Sequence, residues 1–288
     1  MAKQSIKRNA LLAATISGVL AFSAGSTSAD VMMSADNAVI TAAGGTMLHV
    51  SLTDATGNMV SAGTDTTISI SSTNTGVVGD FSFVMATGHA STTLNVGGSM
   101  PQLDVAGTGK ADLTATAGTA TSSAVPLTVV ADYLSGVTAL DATGNPTTTN
   151  TTFLGGVSKN GGTYDNPQTA TGTDTLDILL AVNPGTEDQG KSAKLINVVG
   201  FIDVPGNWSP AGTLWAFYQN ADKSFSLWDW ENNAPLGGVA DVTLGTSHSS
   251  TVYNGSLAGM EGAFVFFNGY QTTDGALVYS SSVDLSVQ

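Results

Sequence analysis

The chain has 288 residues, no cysteine, and a formal charge of −14 from 8 basic and 22 acidic residues. Only 10% of its residues are charged, against about 25% in ordinary soluble domains, with Thr, Ser, Gly, Ala and Asn in their place. An acidic surface repels phosphate backbones and anionic headgroups, which argues against nucleic acid and membrane surfaces as partners. The lack of cysteine removes disulfide frameworks and thiolate metal sites.

Residues 1–29 read as a cleaved secretory signal peptide. Lys3, Lys7 and Arg8 precede the apolar run 10–22, and small residues continue as far as Ala29. That order of charged, apolar and small-residue segments is the signature of export. The alternative is a membrane anchor, but the run is shorter than the ~20 apolar residues a spanning helix needs. Cleavage after Ala29 would leave five lysines, no arginine and a formal charge of −17. No later stretch is apolar for long enough to cross a bilayer as a helix. The remaining length favours two domains.

Residues 30–131 alternate apolar and hydroxyl residues in short runs fenced by Gly or Pro, the pattern of half-buried strands. The polar stretch 30–38 reads as an extended arm or a first edge strand. As an arm it would have the chemistry to pair with a sheet edge on a neighbouring copy. Runs 39–42 and 47–52 flank Gly44-Gly45 as a hairpin or a bent strand. The stretch 48–72 reads as two strands joined by a tight reversal at Asp54-Ala55-Thr56-Gly57-Asn58. Further strands are expected at 66–71, 81–84, 91–96, 110–117 and 125–130, with Ile68 and Ile70 on the buried face. Strand after strand with no amphipathic helix points to an antiparallel β-sandwich.

The order of Asp54, Gly57, Asn58 and Val60, then Gly88, Ala90 and Leu94, then Gly109, Ala111 and Thr114 resembles bacterial immunoglobulin-like domains of the invasin/intimin type. The resemblance covers about 90 residues and implies an immunoglobulin-like sandwich used at the bacterial surface. It breaks at 73–85 and 99–107, where the loops differ from the family pattern. In the DATGN turn, Gly57 and Asn58 tolerate φ > 0, and Asp54 can bond its own backbone. A calcium ion is the sharper reading of such a loop. One Asp and one Asn supply too few of the six to eight oxygens calcium takes.

The same five residues recur at 141–145, yet the residues after them do not make up a second copy of the domain. Residues 132–173, rich in Thr, Gly and Asn, read as a junction of linker and irregular strands. Leu134, Val137, Leu140, Phe153 and Leu154 would dock there locally.

Residues 174–288 read as a second all-β sandwich, with strands near 175–182, 194–204, 212–219, 224–230, 240–244, 250–253, 262–270 and 276–287. Asn220-Ala221-Asp222-Lys223 is the loop of one hairpin, and Asp274-Gly275 marks another. Phe264, Gly269, Tyr270, Asp274, Gly275, Val278 and Tyr279, with Trp228 and Trp230 upstream, resemble a C-terminal β-module of exported proteobacterial proteins. That resemblance implies secretion and no known chemistry.

All four tryptophans and six of the ten phenylalanines lie beyond residue 200. If Trp215, Trp228 and Trp230 shared an exposed face they would form a sugar-stacking platform, with Asp229 and Glu231 bonding hydroxyls. The plainer reading places these aromatics in a sandwich core, because each ring buries ~150–250 Å². Asp229 and Glu231 at strand spacing would sit on the same side, but a glycosidase needs two carboxyls in a cleft, and no second acidic strand is visible. His49, His89 and His248 are scattered, without ligand spacing for zinc. No catalytic residues, cofactor or metal site emerge from the sequence. The expected fold is all-β, two antiparallel sandwiches in tandem. The expected function is a secreted structural or adhesive protein of the bacterial surface, self-assembling or binding other surface proteins. A carbohydrate-binding module is the alternative, and a hydrolase the remotest reading.

Overall fold

A computed structural model describes residues 29–288, apart from 205, 207–209 and 233. The leader therefore lies outside the described residues except for Ala29, and so does Trp208.

The described chain is almost wholly strand, with one short 3-10 helix at Trp230–Asn232. In the N-terminal half, strands Asp30–Ala35, Thr46–Thr53 and Ser91–Val96 form a three-stranded sheet. A six-stranded sheet faces it, running Val39–Thr41, Val125–Val130, Gly109–Ala117, Thr66–Ser72, Phe81–Met85, with Ala120–Thr121 beside Gly109–Ala117. Alternation places Leu48, Val50 and Leu52 from one sheet against Ile68, Ile70 and Leu113 from the other, each no more than 1% exposed. Period-2 burial of this kind is what one solvated face per sheet produces.

Two expectations for this half need correction, and a third is decided between its alternatives. Thr46–Thr53 and Thr66–Ser72 belong to different sheets and do not pair. The Asp54–Asn58 turn folds back only as far as Val60, whose N–H donates to the Leu52 carbonyl at 3.0 Å, before the chain crosses the sandwich. Gly44-Gly45 likewise marks a change of sheet: Val39–Thr41 runs parallel to Thr128–Val130. The stretch 30–38 is no free arm, because Asp30–Ala35 pairs in full with Leu48–Thr53 of its own chain. Asp30–Ala35 is instead the edge strand of the three-stranded sheet, the other reading of this stretch.

In the C-terminal half, a five-stranded sheet contains Tyr133–Leu134, Thr152–Lys159, Leu176–Asn183 and His248–Gly255 in that order, with Tyr164–Asp165 at its side. It packs on a ten-stranded sheet whose long central members are Ser192–Ile202 and Gly262–Thr272. Phe153, Ile178 and Leu180 from the smaller sheet meet Phe201, Phe264 and Phe266 from the larger. Rings Phe201 and Phe264 lie 4.7 Å apart, centroid to centroid. The hairpin at Gln271–Gly275 is present, with Thr272 N–H donating to Ala276 at 2.9 Å. Gln168–Ala170 runs parallel to Leu285–Val287, so this half too departs from a purely antiparallel arrangement.

Residues 132–173 are more ordered than a junction. Thr152–Lys159 pairs along its whole length with Leu176–Asn183, and Phe153 and Leu154 are fully buried. Its Gly155-Gly156 pair is there for close approach. A Cβ on Gly155 would sit 2.8 Å from Val283 and 2.9 Å from Leu180, and one on Gly156 3.2 Å from Tyr164.

Candidate functional site

The aromatic hairpin is the site expected from sequence, and it is built from Leu214–Gln219 paired with Phe225–Leu227. Its turn closes with Asn220 N–H donating to Ser224 at 2.8 Å, and Lys223 takes a left-handed φ of 67°. Trp215 pairs opposite Phe201 and, with Phe217, packs against the sandwich core. Trp228 lies past the strand's end, over the opposite face of the sheet, beside Ile196, Val198 and Phe267. Its indole N–H donates to the Ala234 carbonyl at 2.9 Å. The two tryptophans therefore share no platform.

Asp229 and Glu231 do not alternate along a strand, because the strand stops at Leu227 and Trp230–Asn232 is a 3-10 turn. Both acids are exposed. The Asp229 carboxylate is occupied by the Asn232 side-chain amide, at 2.9 and 2.8 Å. Its geometry is that of a turn, and nothing in it pairs Asp229 with a second carboxylate for acid–base work.

Polar groups converge at three other places, which sequence reasoning passed over. The first is the joint between the sandwiches. Lys110 of the N-terminal half reaches the Asp177 carboxylate at 2.5 Å, and the Tyr164 hydroxyl donates to the same oxygen at 2.7 Å. The ammonium also stands 5.7 Å from the centre of the Tyr164 ring. Burial, with the neighbouring Asp177 carboxylate behind it, pushes the Tyr164 hydroxyl up from its usual range, so it stays a proton donor. Around this pair, Val39 and Val130 pack on Leu154, Tyr164, Leu179 and Ala181. A cleft of about 450 Å³ lies alongside, lined from both halves by residues that include Asn74, Thr108, Thr163 and Asn254.

The second place lies inside the C-terminal sandwich. Asn197 donates to Gln219 and to Ser250, each at 2.9 Å, and accepts from Asn268 at 2.7 Å. Gln219 in turn donates to the Val252 carbonyl at 2.8 Å. Amides from the larger sheet thus reach across to the smaller one. The signal was present in the sequence: Asn197 and Asn268 each interrupt an apolar strand at a core-facing position.

The third is a buried tyrosine cluster. The Tyr270 hydroxyl donates to Asp188 at 2.6 Å and lies 2.8 Å from Thr151, while Lys191 holds the other Asp188 oxygen at 2.6 Å. Burial and the Asp188 carboxylate push the Tyr270 hydroxyl up, and the same carboxylate raises Lys191.

The two DATGN turns are superposable in chemistry. Asp54 accepts from Thr56 N–H at 2.9 Å, the Thr56 hydroxyl at 2.7 Å and Asn58 N–H at 3.0 Å. Asp141 accepts the matching three bonds at 2.8, 2.7 and 2.9 Å. Gly57 and Gly144 supply the left-handed residue, at φ 86° and 84°; Asn58 does not take positive φ. These bonds to the charged form, led by the Thr hydroxyl, hold each carboxyl at about 2. Each turn is a self-satisfied Asx motif. Among the described residues, no group of three or more His, Cys, Asp or Glu side chains is placed to hold a metal ion.

No protein-family model matches the chain, and no curated protein matches it. Among solved structures it is similar to the Yersinia pseudotuberculosis adhesin InvE, at 13% identity and a TM-score of 0.25, over 92% of this chain and 61% of that one. It is similar to the Escherichia coli adhesin FdeC at 16% identity and a TM-score of 0.26, over 90% of this chain and 64% of the other. A membrane-anchored protein of Corynebacterium diphtheriae aligns at 12% identity and a TM-score of 0.29, over 90% and 58%. The chain spans about three fifths of the length of these structures. At TM-scores this low the likeness carries no functional argument.

Proposed function

We propose that the chain is a secreted or surface-displayed structural protein of the bacterial surface, whose two sandwiches act together as a stiff spacer or adhesive unit. The observation that carries this reading is the joint. Strand Leu176–Asn183 is buried on both faces, by its own core through Ile178, Leu180 and Val182 and by the joint through Leu179 and Ala181. A strand shared in this way couples the two halves mechanically, as a spacer requires. The hydroxyl-rich strands and acidic turns suit exposure outside the cell. The export signal read at 1–29 supports the same location, and the proposed sandwiches are 30–131 and 174–288, with 132–173 contributing strands to the second.

Immunogold electron microscopy of intact cells with an antibody to residues 30–288 tests the reading. Labelled fibres or a continuous labelled layer are expected. Label confined to the cytoplasm would refute it. Trp215 packs against the core and Trp228 covers the other side of the sheet, so these two rings do not form one sugar-stacking face.

A further inference from the structure

The C-terminal sandwich is left open along one seam. Phe225–Leu227 is the last strand of the larger sheet on this side, and His248–Gly255 is the last of the smaller. No strand pairs across the gap among the described residues. The larger sheet overhangs here: Phe225 and Leu227 point to the core side yet remain 39% and 57% exposed. Behind them opens a cavity of about 170 Å³ whose walls are all apolar or aromatic side chains. Phe217 and Phe225 form one wall, Ile178 and Tyr253 the other, and Leu257 and Met260 the rim. Tyr253 presents only its ring, because its hydroxyl donates to the Ser256 carbonyl at 2.5 Å. The amide bridge from Gln219 to Val252 spans the same two sheet edges nearby.

We propose that this seam cavity binds a small uncharged hydrocarbon group, an aromatic ring or a chain of about six carbons. The volume sets the size: about 170 Å³ of apolar-lined space suits a benzene-sized guest, which a cavity of ~150 Å³ accommodates. The lining fixes the chemistry, since any polar atom carried inside would lose its water with no partner in return. A guest of that size adds dispersion contacts with the walls. An anionic head is disfavoured by the net charge of −14 and by Glu261 beside the rim residue Met260. The site is independent of the surface-protein reading, which stands or falls on other grounds.

The test is titration of the isotope-labelled full chain with toluene, n-hexanol and hexanoate, monitored by methyl NMR. Saturable 1:1 shifts are expected at Ile178, Val199, Leu257 and Met260 with toluene and hexanol, and at least tenfold weaker binding with hexanoate. Leu257→Phe and Met260→Phe fill the cavity from two sides, so that one variant serves if the other misfolds. With the wild-type dichroism spectrum retained, each should weaken toluene at least tenfold. Non-saturable shifts, toluene binding undiminished in a folded filled variant, or hexanoate binding as tightly as hexanol would overturn the proposal.

Discussion

Asp54 and Asp141 link the two DATGN turns to the pH dependence of stability. Both carboxyls sit at about 2 when folded, against an ordinary 3.8. A group depressed on folding stabilises above its unfolded pKa and loses that contribution as pH falls through the folded one. The window therefore runs from about pH 4 down to about 2. Melting temperature monitored by circular dichroism should drop across that window, and less steeply in the double variant Asp54→Asn/Asp141→Asn. An equal slope in both proteins would contradict the turn chemistry. Asn197 offers a second handle. Asn197→Ala strands the amide of Asn268, the oxygen of Gln219 and the hydroxyl of Ser250 inside the sandwich. Each orphaned group costs roughly 1–3 kcal/mol, so urea unfolding should show a loss of more than about 1 kcal/mol. Asn197→Leu with Asn268→Leu removes donor and acceptor together and should recover part of it.

Among the elements, Thr152–Lys159 and Leu176–Asn183 hold the lesson about what a sequence exposes. Alternation reports which face of a strand is buried, and it placed Ile68 and Ile70 correctly, at 0% and 1% exposure. It does not report the partner strand, so Thr46–Thr53 and Thr66–Ser72 read as a hairpin when they lie in opposite sheets. It also fails where both faces are covered. Leu176–Asn183 shows a nearly continuous apolar run because core and joint each claim one side, the habit of doubly buried strands. Thr152–Lys159 read as irregular because its covered faces demand small residues, Gly155 and Gly156, and glycine resembles loop. If that strand is central, Phe153→Ala should cost about 3–5 kcal/mol in urea unfolding, the usual loss for a buried phenylalanine. A loss under about 1 kcal/mol would return the segment to the status of linker. The aromatic hairpin was legible as an element, and alternation already separates its faces, with Trp215 and Phe217 together on the side that packs against the core. What alternation does not give is that the second strand stops at Leu227 and turns into a 3-10 helix.

For the molecule as a whole, the joint decides whether two sandwiches behave as one body. Lys110 is half exposed, so its ion pair alone contributes at most about 1 kcal/mol. The greater part of the coupling lies in the apolar contacts of Val39, Val130, Leu154 and Leu179, with Asp177 also satisfying Tyr164. Asp177→Ala removes the partner of a buried hydroxyl and should loosen the joint more than Lys110→Met does. Rates of limited proteolysis in the 131–137 connection should rank the same way, and equal rates would place the coupling in the ion pair, which both variants remove.

The absence of native cysteine permits clean spin labelling at two introduced sites, Thr67→Cys in the first sandwich and Ala221→Cys in the second, both exposed. Double electron–electron resonance between them reads the relative placement of the halves directly. A single narrow distance distribution, broadened by Asp177→Ala, is the predicted result. A broad or multi-peaked distribution in the otherwise unaltered chain would contradict a rigid two-sandwich body, and with it the proposed role as a spacer.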